Sequence, residues 1–218
     1  SEATHFAVVY IGKEKYSLAH SWMQPHYVIL DPKLTESQSP YVTVCTGFDA
    51  LSQAIESMWS TGATVESKEY AKEAIGLIVN SFKNIVTDPS LEDRRKMQYG
   101  AYLAGKAINI SKTTASHAMS YALTSYYGIP HGHAVALTLG ELIVFNSLAK
   151  EDEIQDKRGF DYFKSTMKEI LDALGVETVE EARDLINDLM VAANLELRLS
   201  KLGVVESGLD KLSLEVSA

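Results

Sequence analysis

The sequence predicts a mainly α-helical fold preceded by a short antiparallel β-segment, and three observations carry that prediction. From about Pro40 onward, apolar residues recur at three- and four-residue spacing, the period of one helix face. Helix punctuation brackets those stretches, as with Ser90 followed three residues later by Asp93, and Gly128 followed by Pro130. The first thirty residues are different: they are rich in β-branched and aromatic side chains and are broken by a turn at Gly12.

Taken in order, THFAVVYI (4–11) reads as a strand, GKEK (12–15) as a turn and KYSLAH (15–20) as a second short strand. HYVILDP (26–32) reads as a third strand, ended by Asp31-Pro32. Such a ribbon or meander is only marginally stable alone, so residues 1–36 are assigned to a larger sheet and 37–218 to a helical domain. The first helix is expected over 47–59, with Leu51, Ile55, Met58 and Trp59 on one face. Further helices are expected over 67–86, 90–110, 115–128 and 132–149, then over the more charged 159–174, 178–191 and 192–201. The sequence holds no internal repeat, low-complexity tract or long linker.

Composition narrows the function. The net charge of −9 argues against nucleic acid, which requires clustered Lys and Arg. No stretch approaches the roughly 18–20 uncharged apolar residues of a membrane span, and no signal-peptide pattern is visible. The single cysteine, Cys45, can form neither an internal disulfide nor a cysteine-rich zinc site, and it reads as a buried apolar residue. A cytoplasmic protein is the simplest expectation.

Some polar residues stand out from their apolar surroundings. Asp49 and Gln53 lie four apart on one expected helix, so they share a face. An Asp there could interact with the helix N-terminus or ligate a metal. His117 begins a helix of small and apolar residues, and His131 sits at a helix junction between Pro130 and Gly132. They are fourteen residues apart, about one helix plus a corner, which can return both imidazoles to one place. One carboxylate and two or three neutral donors suit a divalent ion of borderline hardness.

The runs TGFDALSQAIESMW and NISKTTASHAMSYALTSYYGIPHGHAVALTL, with the opening SEATHFAVVY, resemble the iron-containing (group III) alcohol dehydrogenase family. The resemblance covers nearly the whole chain. It implies a helical domain of the dehydroquinate synthase-like C-terminal type, with 1–36 as the last strands of an NAD(P)-binding domain. The implied metal ligands are Asp49, Gln53, His117 and His131. The implied ion is divalent, iron being favoured over zinc, and NAD or NADP serves the intact enzyme.

Two positions depart from the family pattern. Gln53 stands where the second ligand is usually His, leaving three readings: a ligand, a residue orienting a water, or a weakened centre. Tyr121 stands where many relatives carry a His near the nicotinamide, so a proton relay there would fall to Tyr121 or His133, unless these only cap or pack.

SKTTASHAMSYALT and IPHGHAVALTL are most similar to the phosphonoacetaldehyde reductase or hydroxyethylphosphonate dehydrogenase branch. That implies interconversion of a small aldehyde and a primary alcohol in phosphonate metabolism. A phosphonate dianion needs a nearby cation: Lys106 and Lys112 are candidates, with Thr113 and Thr114 as hydroxyl donors. Thr4 and Lys15 are expected near the cofactor, and relatives imply a homodimer. Family members also have a glycine-rich segment before SEAT and a helical tail beyond LSLEVSA, so the chain reads as a fragment, inactive alone. The alternatives are a glycerol dehydrogenase- or dehydroquinate synthase-like enzyme on the same architecture, or a helical module without catalysis.

Overall fold

The computed structural model describes residues 2–12 and 14–205, with the backbone alone at Tyr10, Glu14 and Lys15. The LSLEVSA segment therefore lies outside the described residues, as does the Lys15 side chain. Strands β1 (Phe6–Ile11) and β2 (Glu14–Ala19) pair antiparallel, Phe6 opposite Ala19 and Ile11 opposite Glu14. Gly12 makes the turn at φ 64°, a conformation that costs glycine little. The third expected strand is not formed. Residues 26–31 have no ladder partner among the described residues. Their alternation is nevertheless real: Val28 and Leu30 are half-buried, while Tyr27 and Ile29 are 92% and 89% exposed. A strand is defined by its pairing, and nothing described here supplies the hydrogen bonds.

Seven α-helices follow among the described residues: α1 (Pro40–Trp59), α2 (Val65–Ile85), α3 (Leu91–Ser111), α4 (Ala115–Tyr127), α5 (His131–Ser147), α6 (Phe160–Leu174) and α7 (Val179–Ala192). Local chemistry sets their ends. Ser39 caps α1, with Pro40 in the first helical position, where its missing N–H costs nothing. Reciprocal capping boxes open α2 (Thr64 with Ser67), α3 (Ser90 with Asp93) and α7 (Thr178 with Glu181). Gly128 and Gly175 end α4 and α6 in the left-handed conformation.

Two expected boundaries differ. Helix α1 starts seven residues before the expected 47, because Ser39 caps it, Pro40 opens it, and Thr43, Val44 and Cys45 of the run YVTVCT are buried as helix. The expected helix over 192–201 is not there: Asn194 turns left-handed at φ 56° just after α7, and only a 3-10 turn forms at Leu199–Leu202.

Helix α1 is the axis of the bundle. It packs against α2, α3, α5 and α6, while α5 also carries α4 and α7. Phe48, Leu51, Ile55 and Met58 of α1 are fully buried, and the Phe48 and Phe82 rings lie 4.5 Å apart. At the far end of α1, Arg158 donates to the carbonyls of Ser60, Thr61 and Ala63, the region where carbonyls lack helical partners. The ribbon is tied to α3 by a bond from the His5 N–H to Asn109 Oδ1, at 2.8 Å. No helix is long and apolar enough to cross a membrane among the described residues.

Candidate metal centre

Three elements bring three side chains with potential ligand atoms to one point. Asp49 projects from α1, His117 from the first turn of α4, and His131 from the first residue of α5. One ligand atom from each lies within 4.8 Å of the others. Asp49 Oδ1 is 3.2 Å from His117 Nε2 and 3.5 Å from His131 Nε2. The approach of α5 depends on Gly132, where a Cβ would run into the Cys45 carbonyl oxygen of α1. Only glycine lets the first turn of α5 lie this close, which is the physical reason for the Pro-His-Gly sequence.

Each imidazole is oriented from behind. Ser120 Oγ donates to the His117 carbonyl at 2.7 Å, so it must accept from His131 Nδ1, 3.2 Å away. His131 then offers its Nε2 lone pair towards Asp49. Behind His117 lies Glu56, a fully buried carboxylate that meets His117 Nδ1 at a short distance. Burial alone would depress the His117 pKa. Glu56 and Asp49, on opposite sides of the ring, more than offset it and lift the pKa to about 10. Asp49 moves the opposite way: burial raises its pKa, but His117, His131 and Gln53 together bring it below the usual carboxylate value. A proton thus sits where carboxylate and imidazole donors converge, and a divalent cation suits the same donor set.

Gln53 is present at the centre in a particular role: its amide Nε2 donates to Asp49 Oδ2 at 3.0 Å, leaving Oδ1 towards both imidazoles. These residues open onto a cleft of about 290 Å³, walled by Phe6, Ala7, Val8, Ile108, Thr113, Tyr121 and Thr124. The Tyr121 ring stacks on His131, 5.9 Å away and 13° from parallel. Larger clefts exist, about 500 Å³ beside residues 25–38 and about 590 Å³ beside Phe145, but neither is lined by a histidine. Donor chemistry, not size, distinguishes the site.

The other expected residues divide. Thr113 lines the cleft. Lys112 reaches its rim, with Nζ 3.3 Å from His5 Nε2 and 4.6 Å above the ring of Phe6, itself a cleft residue. Thr114 faces away: its hydroxyl bonds Glu56 and accepts from the Trp59 indole. Lys106 is corrected, since its ammonium lies 3.7 Å above the Tyr70 ring on the α2 side of the bundle. His133 is also corrected: two residues after His131 it faces another way, buried between the Glu196 carbonyl and the Tyr41 hydroxyl. Thr4 is buried at the start of the ribbon, bonding the Phe6 carbonyl at 3.2 Å. Sequence reasoning missed Glu56, Ser120 and Thr124. Glu56 could have been found, because Asp49, Gln53 and Glu56 follow one stripe of α1 at four- and three-residue steps. The buried Thr124 hydroxyl has no hydrogen-bond partner among the described residues.

A helical bundle that gathers an Asp and two His from separate helices has the donor set of a metal-binding domain. Comparison with known proteins gives its family: residues 43–217 match the model for the Fe-containing alcohol dehydrogenase family, C-terminal, and the chain belongs to that family. The chain is 32% identical over 177 residues to a phosphonoacetaldehyde reductase from Streptomyces viridochromogenes, covering 80% of this chain and 44% of that protein. It is 31% identical over 217 residues to alcohol dehydrogenase 4 of Schizosaccharomyces pombe, covering 97% and 49%. The crystal structure of a sulfoacetaldehyde reductase from Bifidobacterium kashiwanohense, in complex with NAD+, superposes with a TM-score of 0.85 at 31% identity, covering 100% of this chain and 55% of that one. The chain spans about half the length of the curated relatives it matches.

Proposed function

We propose that this chain carries the metal half of an NAD(P)-dependent oxidoreductase that interconverts a small aldehyde and its primary alcohol. The observation that carries the reading is the convergence of Asp49 Oδ1, His117 Nε2 and His131 Nε2 at the floor of a cleft. When bound there, a divalent ion supplies Lewis-acid polarisation of the substrate oxygen. Iron is the favoured ion and zinc the alternative, since carboxylate and imidazole donors accept both.

The remaining roles fall to the chain's own side chains. Phe6, Ala7 and Val8 close one side of the cleft with apolar surface and limit water there. Tyr121 is the residue left to exchange a proton with the substrate oxygen, because His133 is turned away. The substrate class we favour is an aldehyde bearing a phosphonate or sulfonate. Lys112 and His5 support it as adjacent basic groups at the cleft rim, and two relatives are named for such aldehydes.

The test is aldehyde-dependent NAD(P)H oxidation by the full-length protein. Chelation should abolish turnover and ferrous ion or zinc should restore it; full activity after rigorous metal removal contradicts the reading. Lys112→Ala should raise KM for phosphonate- and sulfonate-bearing aldehydes while leaving neutral ones such as butanal unchanged. An equal effect on both classes would remove the anionic substrate from the proposal.

A further inference from the structure

We propose that Glu56 is the positioning residue of the centre, fixing the proton of His117 on Nδ1 so that Nε2 is left to bind the ion. This rests on the metal reading above and extends it to a residue outside the ligand set.

Glu56 is 0% exposed, yet both its oxygens are engaged. Oε1 receives the backbone N–H of Ser116 at 2.8 Å, the N–H of Thr114 at 3.2 Å and the Thr114 hydroxyl at 2.8 Å. Two of these three are backbone N–H groups, which can only donate, so Oε1 is an acceptor; the Thr114 hydroxyl donates to it as well and itself accepts from the Trp59 indole N–H at 2.8 Å. Oε2 then faces His117 Nδ1, and an ionised carboxylate accepts, so Nδ1 must carry the proton. The opposite ring nitrogen, Nε2, points at Asp49 Oδ1, 3.2 Å away. A carboxylate behind a ligating imidazole both selects the tautomer and makes the ring a better donor. Glu56 sits seven residues after Asp49 on α1, so one helix supplies a ligand and the group that orients a second ligand on α4.

A purely structural role, stitching α1 to the first turn of α4, would use the same contacts. Glu56→Gln separates the two. The glutamine oxygen can keep the three donors of α4, so the stitch survives. Its amide NH2 then replaces Oε2 and donates to His117 Nδ1, which moves the ring proton to Nε2, where the ion would bind. The variant should therefore fold and still bind metal poorly.

The experiment is zinc titration of the full-length protein against a chromophoric chelator, with unfolding of the metal-free form measured in parallel. Glu56→Gln is expected to weaken zinc binding about 10- to 100-fold, while the metal-free form gives up the part of its stability that the Glu56–His117 ion pair supplies and still unfolds in one cooperative step. A loss below tenfold, with wild type binding normally, overturns the proposal and leaves the metal reading intact. Absence of zinc binding by wild type sinks both. Should the variant fail to fold, nitrogen-15 imidazole NMR of zinc-loaded wild type decides the matter. The His117 proton is expected on Nδ1, and a proton on Nε2, or zinc at Nδ1, overturns it.

Discussion

The two sides of helix α1 contrast sharply, although they share one backbone. One side meets α2 and α3 with Gly47 and Phe48 set against Phe82 and Met97, a contact made of apolar side chains. The other carries Asp49, Gln53 and Glu56 towards the first turns of α4 and α5, and each of the three is hydrogen-bonded or ion-paired. Helices buried on every side lose the amphipathic stripe that marks surface helices. Here the polar residues are tolerated because each finds a partner, an arrangement that otherwise costs several kcal/mol per unsatisfied group. The lesson is a division of labour: the first side sets stability, and the second sets chemistry.

The most severe way to break the first side is Phe82→Ala, which should cost about 3–5 kcal/mol of stability by leaving a cavity. Denaturant unfolding would register that loss, while the surviving folded protein keeps its zinc affinity. A comparable loss of zinc affinity would show that the two sides are not separable. Gly132→Ala should breach the division, costing about 1–3 kcal/mol through overpacking. Because the added methyl pushes α5 off the Cys45 carbonyl, zinc binding through His131 should fail as well, a pairing that titration and unfolding together would detect.

Acidity sharpens the second side. The His117 imidazolium, between Asp49 and Glu56 and beside His131, holds its proton to about pH 10, against an ordinary value of 6.5. A raised pKa stabilises the metal-free fold most fully below the ordinary value, and this support fades as the pH rises towards 10. Metal must displace that proton, so zinc affinity should run the other way. Between pH 6 and 8 we expect it to rise about tenfold per unit, with proton release measurable by calorimetry in buffers of different ionisation enthalpy. A flat profile would mean that His117 gives up no proton to the ion. The smallest effect is expected at Lys106→Ala, about 0.5–1 kcal/mol from the lost contact with Tyr70. Zinc affinity and aldehyde KM should not move, and a raised KM would return Lys106 to the substrate site.

Much of this was legible in the sequence where local chemistry decides the outcome. Ser90 with Asp93 opens α3 as a capping box, and Gly128 stops α4 as its φ of 68° requires. The fourteen-residue spacing of His117 and His131 allowed both imidazoles to return to one place, and the family resemblance joined Asp49 to them; the three do converge. What escaped depended on partners. The alternation in HYVILDP is present in the structure, yet no described residue pairs with it. Lys106 and Lys112 look alike in sequence, and only packing puts the first on Tyr70 and the second at the cleft rim. Glu56 resembles an ordinary surface carboxylate until α4 covers it.

The central claim, that α1, α4 and α5 fold so as to hold one divalent ion, is tested most directly by anomalous diffraction from zinc-loaded crystals. A single peak should appear about 2.0–2.2 Å from Asp49 Oδ1 and from the Nε2 atoms of His117 and His131. A peak elsewhere in the molecule, or one that touches only one of these three side chains, would contradict the account.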